Sequence, residues 1–218
     1  MLRVVRPEIL DSLPHDHPDA LQNRRELRTI NWLMGNYRWL AHQARRRLEP
    51  RVRALELGAG SGDLVRRLRR GGVPIELDGL DLCPPPEDWD DGRKWIREDL
   101  QVFDGYEGYH AIFGNLILHQ FPDEVLGQMG RRMRVAANQL FFCEPARRNC
   151  HVAQFRALSL LGRMGHVSRN DGEVSIRAGF LGDELPHLLG LTKEDWRWSC
   201  KTGLRGQYLM AAWRVGPS

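Results

Sequence analysis

The chain has 218 residues, 42% of them hydrophobic and 28% charged, with a formal net charge of +4. That length fits one domain that can bury a continuous core without disulfide or metal staples. No apolar run approaches the roughly 20 residues a membrane span needs, and the opening stretch, carrying Arg3, Arg6 and Glu8, lacks the apolar core of a secretory signal.

In chain order, Pro7, Pro14 and Pro18 first interrupt the opening segment. From Leu21 to Leu48 apolar residues then recur at helical spacing, with Gly35-Asn36 placed to divide the run into two helices. Residues 1–50 read as a helical cap and 51–218 as the core of the same single domain. From Val52 the rhythm changes to short apolar runs alternating with helical patterns. Strands are expected at Ala54–Leu57, Ile75–Leu82, Lys94–Glu98, within Tyr109–Leu118, and at Gln139–Cys143. Helices are expected after the first strand and at Pro122–Met133, His151–Met164 and Gly182–Leu189. Residues 146–180 read as an insertion after the fifth strand, with a glycine-rich stretch around His166 and Asp171. The late strands Trp196–Cys200 and Tyr208–Trp213 have no helix between them, so they predict an antiparallel hairpin at one edge. The alternation of strand and helix predicts an α/β, Rossmann-like doubly wound sheet of about seven strands, covered on both faces, with an antiparallel last strand.

The strongest local signal is Glu56-Leu57-Gly58-Ala59-Gly60-Ser61-Gly62-Asp63, leaving a strand and entering a helix. Glycines let the backbone turn sharply and a ligand approach closely. In doubly wound sheets such a turn opens at the carboxyl edge, where ligands bind. A dinucleotide fingerprint, G-x-G-x-x-G/A, needs a small third residue beside the pyrophosphate. Counted from Gly58, that position is Asp63. With Glu56 also beside the loop, the local charge repels a pyrophosphate and suits a cationic ligand bearing an amino group. Asp81, ending the second strand, can accept from both hydroxyls of a ribose, which would fit a nicotinamide dinucleotide equally well. Asp99 can accept from an adenine amino group, with the Leu100 amide beside it.

With these residues the chain resembles the class I S-adenosylmethionine-dependent methyltransferases over nearly all of the Rossmann-like region. The resemblance implies S-adenosyl-L-methionine as cofactor, held by Glu56, Gly58, Gly60, Gly62, Asp81, Leu82, Asp99 and Leu100, with Asn115 beside its methionine part. Arg28–Asn36 and Asp171–Arg177 carry a narrower similarity to small-molecule methyltransferases of the ubiquinone and menaquinone biosynthesis type, and to relatives acting on polyketide-like phenolics. The implied reaction is O-methylation of a phenolic or polyketide-like acceptor.

Methyl transfer asks the protein to align the nucleophile and, for a phenol of pKa near ~10, to remove its proton. His119, after the fourth strand, either titrates near working pH as that base or simply hydrogen-bonds its loop. Related enzymes often carry a second histidine where Gln120 stands, which puts a histidine pair in doubt. The resemblance implies that the insertion at 146–180 shapes the acceptor pocket, where His166 is either a second candidate base or a satisfied loop histidine. Trp32, Tyr37 and Trp39 either close over the site as a lid or pack a helix on the sheet. Missing Asn/Asp-Pro-Pro-Tyr and Pro-Cys motifs argue against methylation of amino groups or of cytosine C5, and the absence of ligand-spaced clusters predicts no metal. The four cysteines, Cys83, Cys143, Cys150 and Cys200, form no C-x-x-C pair and read as buried free thiols. Arginine pairs scattered along the chain read as solvated helix faces, which makes nucleic acid an improbable partner. An RNA or protein methyltransferase and a non-catalytic cofactor-binding regulatory module remain as alternatives. The expected compartment is the cytoplasm.

Overall fold

The computed structural model describes residues 1–14, 16–89 and 92–216. Two helices come first, α1 (Pro18–Met34) and α2 (Asn36–Arg47). Pro18 opens α1, where its missing N–H costs nothing. Gly35 ends it in the left-handed conformation (φ 76°), its N–H reaching the Asn31 and Trp32 carbonyls at 2.9 and 3.2 Å. The expected division at Gly35-Asn36 is therefore a helix cap.

The sheet follows as β1 (Arg53–Leu57), β2 (Glu76–Asp81), β3 (Trp95–Arg97), β4 (Ala111–Asn115), β5 (Gln139–Pro145), β6 (Trp196–Thr202) and β7 (Gln207–Arg214). Its seven strands are ordered β3-β2-β1-β4-β5-β7-β6. The first five strands are parallel, and β7 runs antiparallel between β5 and β6. The chain leaves β1 for β2 on one side and returns to β4 on the other, so the order reverses between β1 and β4. A crevice opens at such a reversal, outside the carboxyl ends of the strands.

The remaining helices are α3 (Asp63–Arg70), α4 (Asp123–Ala136), α5 (Asn149–Leu161), α6 (His166–Ala178) and α7 (Glu184–Leu188). Alternation along the strands sends side chains to two cores. Phe141 and Cys143 meet Leu40, Ala44, Leu64 and Leu68 of α2 and α3, whereas Leu140 and Phe142 meet Leu126, Met129 and Leu185 of α4 and α7. Fully burying one such Phe or Leu contributes about 1.5–3 kcal/mol. The helix α2 thus forms part of the sheet's covering layer. A smaller cluster of Val152, Phe155, Met164 and Ile176 joins α5 to α6, with Ile30 of α1 packed against it.

Two expectations need correction. The stretch around His166 and Asp171 is a thirteen-residue helix, α6, with no loop character. Its Gly172 serves close packing, since a Cβ there would lie 2.1 Å from Cζ of Phe155. Among the cysteines Cys143 is buried, but Cys150 is exposed and Cys83 and Cys200 are half-buried. No helix among the described residues is long and apolar enough to cross a membrane.

Candidate functional site

The glycine turn lies at the reversal point. The N–H groups of Gly58 and Ala59 both donate to the Leu80 carbonyl, at 2.8 and 3.2 Å, which folds the turn over the end of β2. Gly58, Gly60 and Gly62 are all left-handed, with φ of 62°, 54° and 70°. At Gly58 a Cβ would also lie 2.8 Å from Cγ1 and Cδ1 of Ile117, so conformation and space both demand glycine. At Gly60 the space is open, and its N–H donates to Oδ2 of Asp81 at 2.8 Å. The Cys83 N–H donates to Oδ1 of Asp81 at 2.8 Å. Two bonds leave lone pairs on that carboxylate for further donors.

Asp63 starts α3 at the place where a dinucleotide's pyrophosphate would rest, and Arg66 pairs with it at 2.8 Å. The helix end that could attract an anion is thus already supplied with a carboxylate. Glu56, at the end of β1, is 2% exposed, and its Oε2 has no hydrogen-bond partner among the described residues. Burial, reinforced by Asp63 and Asp81, pushes its carboxyl well above the usual range. An orphaned buried acid facing two more acids suits a cation.

Above it, the α1–α2 elbow carries three polar groups. The Asn36 side chain donates to Oδ1 of Asn115 at 2.9 Å and to Oδ1 of Asn31 at 3.1 Å, and Asn115 donates to Asn31 at 2.9 Å. Oδ1 of Asn36 is buried without a partner among the described residues. The Tyr37 phenol is raised by burial and then by Glu56 and Asp63, while a bond to Asn115 opposes the shift. Asn115, expected at the strand end, is there. Asn31 and Asn36 were not singled out from sequence. The available signal was register: Asn36 falls on the buried α2 face with Leu40 and Ala44. Of the aromatic trio, Tyr37 joins the site, Trp39 packs against the core and Trp32 is 76% exposed.

On the far side of the crevice, Leu82 follows Asp81 and is 64% exposed, an apolar surface beside the carboxylate. Asp99 is half-buried and accepts from the Gln101 N–H at 2.9 Å, and Leu100 is 6% exposed. The residues Glu56, Gly58, Gly60, Gly62, Asp81, Leu82, Asp99, Leu100 and Asn115 all come from the carboxyl ends of β1 to β4 and the turns that leave them.

The two histidines are placed very differently. His119 sits on a short 3-10 turn, Leu118–Gln120, and is 2% exposed. Its Nδ1 bonds Oε2 of Glu144 at 2.7 Å, and its Nε2 lies 3.5 Å from Oε1 of Glu8, a charge contact without hydrogen-bond alignment. Glu144 also accepts the backbone N–H groups of Ile117 and Leu118 at 3.2 and 2.9 Å. Burial alone would push the imidazole down. The two carboxylates outweigh it and push it up to about 9. Held between Glu144 and Glu8, the His119 ring thus favours its protonated form.

His166 is the exposed first residue of α6. The α6 residue that meets Glu8 next to His119 is Ser175, roughly 13 Å farther along the helix at 1.5 Å per residue. The structure does not bring the two histidines together.

Glu8 belongs to a strap, residues 3–12, whose proline-broken sequence carries no signal of a site. Its Ile9 and Leu10 N–H groups donate to the buried Asp171 carboxylate at 2.8 and 3.0 Å. Its Arg3 donates to the Ala178 and Phe121 carbonyls, both at 2.8 Å, and to the His119 carbonyl at 3.1 Å. The strap thus ties α6 to the turn after β4.

No family model and no curated protein matches the sequence. Solved structures do match. The plantazolicin methyltransferase BamL, in complex with a triazolic desmethyl-plantazolicin analog and SAH, is 12% identical, with a TM-score of 0.68 over 95% of this chain and 93% of that one. This chain has a methyltransferase fold. The pyocyanin biosynthetic protein PhzM (16% identity, TM-score 0.61) and TnmH (17%, 0.60) each align over 96% of this chain and 62% of their own. The sheet order and antiparallel β7 are thus features of a methyltransferase fold, with its crevice at the glycine turn.

Proposed function

We propose that the chain is an S-adenosylmethionine-dependent methyltransferase acting on a small molecule. The observation that carries the reading is Glu56, buried, unpartnered and flanked by acids beneath a left-handed glycine turn. A cationic amino group relieves that site, and a diphosphate aggravates it. Bound there, S-adenosylmethionine supplies a methyl group already activated as a sulfonium.

In this reading Glu56 receives the ammonium, with Asn115 and Tyr37 beside it. Asp81 accepts from the ribose hydroxyls, Leu82 flanks the purine, and Asp99 accepts from its amino group with the Leu100 backbone amide beside it. Gly58, Gly60 and Gly62 allow the close approach of backbone to ligand. His119 acts as a positioning residue: its charge joins the end of β5 to the strap. His166 has no part. The acceptor we propose is the oxygen of a phenolic or polyketide-like molecule, the class implied by the sequence resemblance of Arg28–Asn36 and Asp171–Arg177 to ubiquinone- and menaquinone-type methyltransferases. Structural neighbours named for plantazolicin and pyocyanin, and one named as a putative O-methyltransferase, support a small-molecule acceptor. The cytoplasm is the compartment we expect.

Calorimetry tests the reading. S-adenosylmethionine and S-adenosylhomocysteine should bind in the micromolar range (roughly −8 kcal/mol), and Gly60→Arg, which fills the open mouth of the turn, should abolish binding. Binding of NADH with neither of the other two would overturn it.

A further inference from the structure

Away from the glycine turn, a cavity of about 530 Å³ opens between the strap and α6. One wall is a single face of α6, where Asn170, Glu173, Val174 and Arg177 recur at helical spacing, flanked by Arg169. The facing wall is Val4 and Arg6 of the strap. Small-molecule sites occupy roughly 300–1,000 Å³, so the space is sufficient for a ligand.

The charge around it is one-sided. Arg6, Arg169 and Arg177 are all exposed. The lining acid, Glu173, is already engaged: Nε and Nη2 of Arg156 donate to it at 2.7 and 2.6 Å and hold its carboxyl below the usual range. The described side-chain contact of Arg177 is with the Met1 sulfur at 3.8 Å, and Arg6 has no side-chain hydrogen bond or ion pair among the described residues. Three arginines therefore line a concave space whose carboxylate is paired with a fourth, although Arg177 also acts on Glu173 and Arg169 on Glu26. Guanidinium forks match phosphate and carboxylate geometry.

We infer that this groove binds a small ligand bearing phosphate or clustered carboxylates, with Arg6, Arg169 and Arg177 as donors. Arg6 lies two residues from Glu8, so an anion bridging Arg6 to α6 fastens the strap over His119. The inference does not depend on the cofactor assigned above.

Inorganic pyrophosphate, titrated calorimetrically into the intact protein at low ionic strength, is the direct probe. Saturable one-to-one binding is expected, weakened roughly tenfold by Arg169→Gln and again by Arg177→Gln. Glu173→Gln should tighten it by freeing Arg156, a change that loss of folding cannot mimic. Phenyl phosphate binding more tightly than orthophosphate indicates that the anion is carried on an organic ligand, and equal affinities indicate a free ion. Absence of saturable binding, or unchanged affinity in the double variant, overturns the proposal whether or not S-adenosylmethionine binds.

Discussion

Raising the pH from 6.5 to 9.5 should unlatch His119. Its imidazole is raised from an ordinary 6.5 to about 9 by Glu144 and Glu8 against the opposing effect of burial, with Asp11 farther off on the strap. A rise of that size corresponds to about 3 kcal/mol of stability. Because the folded-state value lies above the unfolded one, the contribution is complete below about pH 6.5 and disappears as the pH climbs through about 9. For a chain of this size, 1 kcal/mol moves the melting midpoint by roughly 2–4 °C. Thermal denaturation followed by circular dichroism should therefore show a fall of roughly 6–12 °C over that window. His119→Gln, which keeps a donor for Glu144 but carries no charge, should start lower and lack this fall. Imidazole nitrogen shifts measured by NMR give the midpoint directly. A midpoint below 7, or identical pH profiles for the two proteins, refutes the clamp.

Glu56→Gln should stabilise the ligand-free protein at neutral pH, because a carboxyl with a raised folded-state value loses stability as the pH rises above its ordinary value of 4.5. The same variant should weaken S-adenosylmethionine binding at least tenfold by calorimetry; unchanged binding would remove Glu56 from the site. Gly58→Ala combines a left-handed penalty of roughly 1–2 kcal/mol with contact against Ile117, so denaturant melts should shift by at least that amount. Gly130→Ala on α4 would place a Cβ 2.3 Å from the Leu189 carbonyl oxygen. An urea midpoint within error of the parent protein would contradict the close α4–α7 approach. Asp171→Ala strands the Ile9 and Leu10 N–H groups and should raise hydrogen exchange at both, with the sheet core unaffected.

The sheet was legible in the sequence because its central parallel strands are short runs buried on both faces, bounded by turn residues, as in Gln139–Pro145 and Ala111–Asn115. The crevice at the glycine turn was legible for a related reason. Its residues come from strand ends, where chain order maps directly onto place. Helix α6 was not legible, since Ser168, Asn170, Asp171 and Gly172 have low helix propensity and their positions are decided by packing on α5 and the strap. Nor could the state of His119 be read, because Glu8 and Glu144 reach it from distant parts of the chain. The Asn31–Asn36–Asn115 cluster lay hidden for the same cause, spread over an elbow and a strand.

The position of β7 between β5 and β6 has a consequence for biosynthesis. Until residues 207–214 emerge from the ribosome, the flank of β5 that they cover is an unpaired strand bearing Leu140, Phe141 and Phe142. Such a naked, apolar border is a template for pairing with another copy. Premature stops upstream of the hairpin should therefore yield insoluble protein even though the crevice at the glycine turn is encoded entirely before it.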